Sequence, residues 1–346
     1  MTQPMQRKPA QLRISATRRA LTLVELLIVG AVIALLATLT LVAVNMAATA
    51  AKITKTRSTI QKLDTAMQQI FETYAERLTV IRRQVAAEDE TKDLDKETQR
   101  KIVAHRIRDL MRMEMPQSWA EVLREPIAMA DYDAVEDSPL RKYYLQHGTA
   151  SSAELSSAEL LFLIIQNLNP EALEAFHGSE VADTDGNGLL EFVDAWGSPI
   201  RFLRWAPAFS DSDLQQNVLK RAGYTPTTNR ANNRDWWITG RNDKSSDLWQ
   251  AMKTASINHP DPMDERIFDL LADPEQPFRG GWFLYPLIYS AGPDGDYGLD
   301  DGLIEDGDEG TAIMGVEGIL DPFGFPFGMP TGSSHFDNIH NHQWYR

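Results

Sequence analysis

The chain reads as an α+β protein, with one long N-terminal helix ahead of a head whose helices precede a small antiparallel sheet. Three observations predict this. Leu21 to Val44 is an apolar run broken by a single charge, Glu25, and a helix needs about 20 such residues to cross a bilayer. Apolar residues then recur at steps of three, four and seven as far as Ile81, with no proline between Leu21 and Arg83, which lays a stripe along one helix face. Beyond Asp183 the chain becomes rich in Gly, Pro, Asp and aromatic residues, with short β-like runs, so strands follow helices.

Residues 1–20 form a basic leader. Arg7, Lys8, Arg13, Arg18 and Arg19 stand there without an acid, a bias that keeps such a segment cytoplasmic. Residues 21–45 are the membrane helix. An acid near its hydrocarbon region is costly, and such a group is by default a functional residue in want of a partner. The best partner for Glu25 is a free amine made by cutting the chain after Ala20.

Residues 46–115 continue as stem and helical extension. The stripe Ile53, Ile60, Leu63, Met67, Ile70, Phe71, Tyr74, Leu78 and Ile81 is a packing surface, and the stem is on the order of 90 Å long at the helical rise. Glu88 to Arg108 is dense in charge and reads as a solvated helix that Pro116 ends. Residues 116–346 make the head. Ser156 to Phe176 is helical, with Ser157 as its cap and a break at Asn169-Pro170. Ile200–Trp205 and Trp282–Tyr289 are the main strand candidates, and about 207–280 reads as a polar insertion with a helix over Ser246–Thr254.

The residues at the start of the apolar run carry a family resemblance. Arg18-Arg19-Ala20 followed by Leu21-Thr22-Leu23-Val24-Glu25-Leu26-Leu27 resembles the prepilin signal of type IV pilins and type II secretion pseudopilins. The resemblance implies cleavage by a prepilin peptidase after Ala20, methylation of the new N-terminus at Leu21, and retention of the apolar helix. It further implies that Glu25, then the fifth residue, pairs with the terminal amine of a neighbouring subunit during filament assembly at an inner-membrane platform. Ala20 and Leu21 stand where the family usually has Gly and Phe. Two plainer readings compete. An ordinary signal anchor explains the length and the basic flank but not Glu25. A cleaved signal peptide could use Ala48-Thr49-Ala50, yet this apolar core exceeds the usual 7–15 residues.

Asp183-Thr184-Asp185-Gly186-Asn187-Gly188-Leu189-Leu190-Glu191-Phe192-Val193-Asp194 fits the start of a twelve-residue calcium loop. Asp183, Asp185 and Asn187 offer oxygens on alternate residues, Leu189 a carbonyl, and Glu191 a carboxylate. Asp194 stands at position twelve, where a bidentate Glu is usual. The competing reading is a plain Asp/Gly turn. The continuation through Trp196-Gly197-Ser198-Pro199 is similar to a turn in heads like that of the major pseudopilin. Ser290-Ala291-Gly292-Pro293-Asp294-Gly295-Asp296 resembles that family's calcium loop, which makes Asp294, Asp296, Asp300 and Asp301 a second candidate set. Acidic Gly-rich loops are also ordinary hairpin turns.

Charge and motifs narrow the function. There are 49 acidic and 34 basic residues, and removing the five leader cations leaves 29, a net charge of −20. Such a surface speaks against nucleic acid, which needs basic patches. The absence of cysteine means that an exported head must hold together without disulfides. Enzyme signatures are missing: no G-x-S-x-G, no H-E-x-x-H and no phosphate-cradling glycine loop. His335, His340 and His342 read as polar residues of an irregular tail in preference to metal ligands. The chain is thus expected to be a pseudopilin-like structural subunit, partnered by other such subunits and by membrane lipid, with calcium in its head. A minor type IV pilin and a non-polymerising, membrane-anchored calcium-binding protein are the alternatives.

Overall fold

In a computed structural model, residues 22–123, 138–147, 155–206, 208–225, 245–263, 283–300, 329–330 and 337–343 are described, with a few single positions between 232 and 243. The fold is α+β, with a long apolar N-terminal helix and a small antiparallel sheet. Helix α1 runs from Leu23 to Ala87. The chain divides into two units, Met1–Ala50 and Ala51–Arg346.

In the first unit, the described part of α1 is exposed on every side, from Leu23 at 79% to Met46 at 69%. Among the described residues, α1 is the one helix long and apolar enough to cross a membrane. That is compatible with a single-pass anchor, by length and composition.

The second unit begins with the rest of α1, and here the stripe is buried. Ile60, Leu63, Met67, Ile70, Tyr74, Leu78 and Ile81 join one core, while Ile53 and Phe71 are partly covered. Helix α5, Ser156–Leu168, contributes Leu160, Leu161, Leu163, Ile164 and Ile165 to the same core. It stops at Asn169, and Pro170–Ala175 forms a 3₁₀ turn, because proline cannot continue the backbone ladder. Its cap differs from expectation: Leu155 stands at the N-cap without a side-chain bond, and Ser157 is buried two residues further in, within the first turn.

Polar ties fix α1 to the head. Thr59 and Lys62 both donate to Glu180, at 2.5 and 2.8 Å. Asp64 accepts from Tyr285 at 3.1 Å and Asn341 at 2.8 Å. Burial pushes the Glu180 carboxyl up, but the His177 N–H, Lys62 and Thr59 together hold it below the ordinary range.

Helix α2, Lys96–Glu114, starts later than the charge run and is not a solvated helix. Asp95 caps it, accepting from Glu97 and Thr98. Ile102, Val103, Ile107 and Met111 are buried, and several of the charges are spent on ion pairs, Arg106 with Glu88 and Arg108 with Asp261. Short helices α3, Trp119–Leu123, and α4, Pro139–His147, follow.

Strands β1, Val181–Ala182, and β2, Glu191–Phe192, pair as a hairpin around the Asp183 loop. The three-stranded sheet has the order β3-β4-β7, all antiparallel, from Arg201–Leu203, Leu287–Ser290 and Ile339–His340. Strands β5, Leu299–Asp300, and β6, Met329–Pro330, form a separate pair.

The described part of the 207–280 segment is less polar than its composition suggests. Helix α6, Val218–Arg221, and helix α7, Asp247–Asn258, share a small core of Ala208, Val218, Leu219, Leu248, Ala251, Met252 and Ala255. Ser246 caps α7 by accepting from the Trp249 N–H.

The C-terminal histidines also depart from expectation. His340 lies in β7, and both it and His342 are buried; His335 lies outside the described residues. His342 Nε2 donates to the Pro286 carbonyl at 3.0 Å and Nδ1 accepts from Ser212 at 2.9 Å, which fixes a neutral tautomer. Burial pushes its pKa down to about 4. The unfolded chain therefore takes a proton from about pH 6.5 downward that the folded chain refuses until about pH 4, so this contribution is whole above pH 6.5 and lost as the pH falls. Denaturant titration at pH 7.5 and 5 should show a loss of about 2 kcal/mol from this residue. In His342→Gln that increment should vanish from the difference between the two pH values.

Candidate functional site

The peptide bond between Ala20 and Leu21 lies outside the described residues, which begin at Thr22. There Thr22 and Glu25 close a reciprocal cap. The Thr22 N–H and hydroxyl donate to Glu25 Oε2 at 2.8 and 3.0 Å, and the Glu25 N–H donates to Thr22 Oγ1 at 3.2 Å. This is the capping box, Thr-x-x-Glu, which satisfies helix donors that have no partner in the ladder. Glu25 thus has a local role that its apolar setting did not suggest, and both its oxygens lie at the exposed start of α1.

The Asp183 loop is the turn of the β1–β2 hairpin. Asp183 Oδ1 accepts from the N–H groups of Gly186 and Asn187 at 2.7 and 3.1 Å, and Oδ2 from Gly188 at 2.9 Å. Gly186 and Gly188 have φ of 79° and 92°, a region that side chains with a Cβ resist. Asp183 is therefore the residue that folds the loop. Asp185 accepts from the Asn187 N–H and side-chain amide, at 3.1 and 3.0 Å. Leu189 buries its side chain in the main core while its N–H meets Asn187 Oδ1 at 2.7 Å.

A residue outside the loop completes the cluster. Glu159, from the first turn of α5, is fully buried and accepts from Asn187 Nδ2 at 2.6 Å. Its second oxygen accepts from the Trp119 indole. One carboxylate oxygen each of Glu159, Asp185 and Glu191 lies within 4.8 Å of the others. Glu191 is also fully buried; Oε2 accepts from the Thr184 N–H at 2.9 Å, whereas Oε1 has no hydrogen-bond partner. Burial pushes the Glu191 carboxyl up, the Thr184 contacts oppose this, and the charges of Asp185 and Glu159 add to it.

Asp194, expected at position twelve of the loop, lies outside this acidic cluster. Its Oδ1 accepts from the N–H groups of Trp196 and Ser198 at 2.8 and 2.9 Å, and its Oδ2 from Ser290 at 2.6 Å. It holds the turn through Gly197, φ 95°, against strand β4. Three donors meet the carboxylate in this Asx turn. No family model, curated protein or solved structure matches the chain.

In the later acidic stretch, Asp294 and Asp296 each cap a turn. Asp294 Oδ1 accepts from the Asp296 N–H at 2.9 Å, and Asp296 Oδ1 from Gly298 at 3.0 Å. Gly292, φ 72°, is obligatory here, since a Cβ would meet the Asp337 carbonyl oxygen at 2.5 Å. Burial and the charges of Asp294 and Asp296 raise the Asp337 carboxyl. Asp300 contributes its backbone to β5; its side chain and the whole of Asp301 lie outside the described residues.

Proposed function

We propose that this chain is a pilin-like subunit, resembling the pseudopilins of type II secretion, that is anchored by α1 and assembled into a filament through it. It is a structural protein, not an enzyme. The observation that carries this reading is Glu25, the only charge between Leu21 and Ala51, at the start of a helix whose next twenty residues are exposed and uncharged. A signal anchor needs no charge there, since glutamine would serve the capping box as well, whereas a subunit cut after Ala20 presents a terminal amine that needs an anion. The basic leader would remain cytoplasmic and the head would face the opposite side. Further support comes from the stem: beyond residue 51 the same helix is fastened to the head by Lys62–Glu180 and by Asp64, so a force on the membrane helix reaches the head through covalent and paired contacts. The acidic Asp loops belong to a calcium-stabilised head in this reading.

The capping box favours a second reading, in which Glu25 serves only to start the helix of a membrane-anchored protein that never polymerises. The mature N-terminus tests the first reading directly. Mass spectrometry of the purified membrane form should find Leu21 at the terminus, N-methylated. A chain beginning at Met1 or Ala51 would overturn processing of this kind.

A further inference from the structure

We infer that Glu159, Asp185 and Glu191 form a calcium site that fastens the β1–β2 loop to helix α5. The set differs from a loop-only site, because Glu159 enters from another element and the oxygens that converge are those of Glu159, Asp185 and Glu191. This inference deepens the calcium part of the reading above and rests on it, while standing apart from filament assembly.

Two independent observations point to an ion. The first is geometric: three carboxylate oxygens lie within 4.8 Å of one another. Calcium holds oxygens at 2.3–2.6 Å, so ligands across its shell stand up to about 5 Å apart, which this spacing allows. The second is an atom left over. Glu191 Oε1 is buried and accepts nothing, in a side chain that is 0% exposed. Buried polar atoms are nearly always partnered, and buried charges are paired or bind metal. Within the cluster, the Asn187 amide nitrogen gives one hydrogen bond to Glu159 and one to Asp185, and none reaches Glu191 Oε1. An oxygen-only set of three acids suits a hard divalent cation and offers nothing to a soft one.

The position gives the ion a structural role. Glu159 sits on α5, whose side chains fill the main core, and Asp185 sits on the exposed hairpin loop. An ion bound between them exists only in the folded head and stabilises it by mass action.

The site has a built-in reporter. Trp119 donates its indole N–H to Glu159, so terbium held by Glu159 would be sensitised by Trp119. The test uses the full chain in detergent micelles, titrated with calcium chloride for thermal shift and with terbium for sensitised emission. Calcium should raise the melting temperature, and terbium emission should appear and be displaced by calcium. Asp185→Asn, on the exposed loop, should keep the fold and weaken both responses by about tenfold or more, since even outer-shell partners of a metal are worth that much. Glu191→Gln should do the same. Asp296→Asn should leave both responses as in wild type, and Trp119→Phe should dim the terbium emission while calcium still raises the melting temperature. Failure of calcium and terbium to act on the wild type would overturn the site, as would responses lost in Asp296→Asn but kept in Asp185→Asn. If Glu191→Gln stabilised a calcium-insensitive wild type, a proton and not a metal would be the partner of Glu191. None of these outcomes bears on the Leu21 terminus or on Glu25, so loss of the site and loss of the filament reading are separable.

Discussion

Glu25→Gln should abolish incorporation into filaments while leaving helix α1 properly started. Glutamine at the third helical position serves the capping box as glutamate does, so the contacts of Thr22 with residue 25 would persist. What glutamine lacks is the charge. If Leu21 becomes a methylated, cationic terminus that enters a bundle of apolar helices, it needs an anionic neighbour, because a desolvated charge without a partner is prohibitive. Glu25→Leu removes both cap and charge and should fail as well. Thr22→Ala removes the cap and keeps the charge, so it should still assemble. Recovery of sheared filaments, scored by immunoblot against membrane-bound protein, separates these effects from expression. Wild-type filament yield from Glu25→Gln would reduce Glu25 to a helix cap and favour the plain anchor.

Much of the helical framework was legible because it depends on local periodicity. The stripe from Ile60 to Ile81 needed only steps of three and four, the break at Asn169-Pro170 only proline chemistry, and α7 only a serine before an apolar pattern. Charged segments were less legible. Arg106 and Arg108 look alike in the sequence to solvent-facing residues, and only the arrival of Glu88 and Asp261 places them in ion pairs. His342 is buried because Ser212 and Pro286 meet it from distant parts of the chain. The candidate metal cluster divides in the same way. Asp185, Asn187 and Glu191 follow from loop spacing, whereas Glu159 does not, although it is the only charge in α5 and an acid within so apolar a helix was a usable signal. Asp194 shows the opposite: the loop pattern counts it in, while in the structure the Gly-Ser turn after it and Ser290 meet its oxygens.

Glu121→Gln should be among the most destabilising single changes in the head. Arg204 is 0% exposed and meets Glu121 through both guanidinium ends, Nη2 to Oε1 at 2.6 Å and Nη1 to Oε2 at 3.1 Å. Nη1 also donates to the Met115 carbonyl at 2.7 Å, and the guanidinium lies 4.4 Å from the centre of the Trp205 ring. Arg112 reaches the same carboxylate at 3.2 Å and shares Asp109, and the Gln117 N–H adds a further bond at 2.9 Å. Burial alone would push the Glu121 carboxyl up; the Arg204 and Arg112 charges outweigh it and hold the group below its ordinary range. Its contribution is therefore present above about pH 4.5 and lost as the pH falls through the folded value. Removing the charge by mutation leaves Arg204 buried without a counterion, which costs about 3–5 kcal/mol out of a typical total of about 5–15. At roughly 2–4 °C per kcal/mol for a domain of this size, the melting temperature should fall by about 10 °C. Replacing both partners with methionine, Glu121→Met with Arg204→Met, should recover most of that loss, because an apolar pair of similar volume leaves no orphan charge. A single Glu121→Gln variant that melts within about 2 °C of wild type would show that the pair is not what holds α3 to the segment that follows β3.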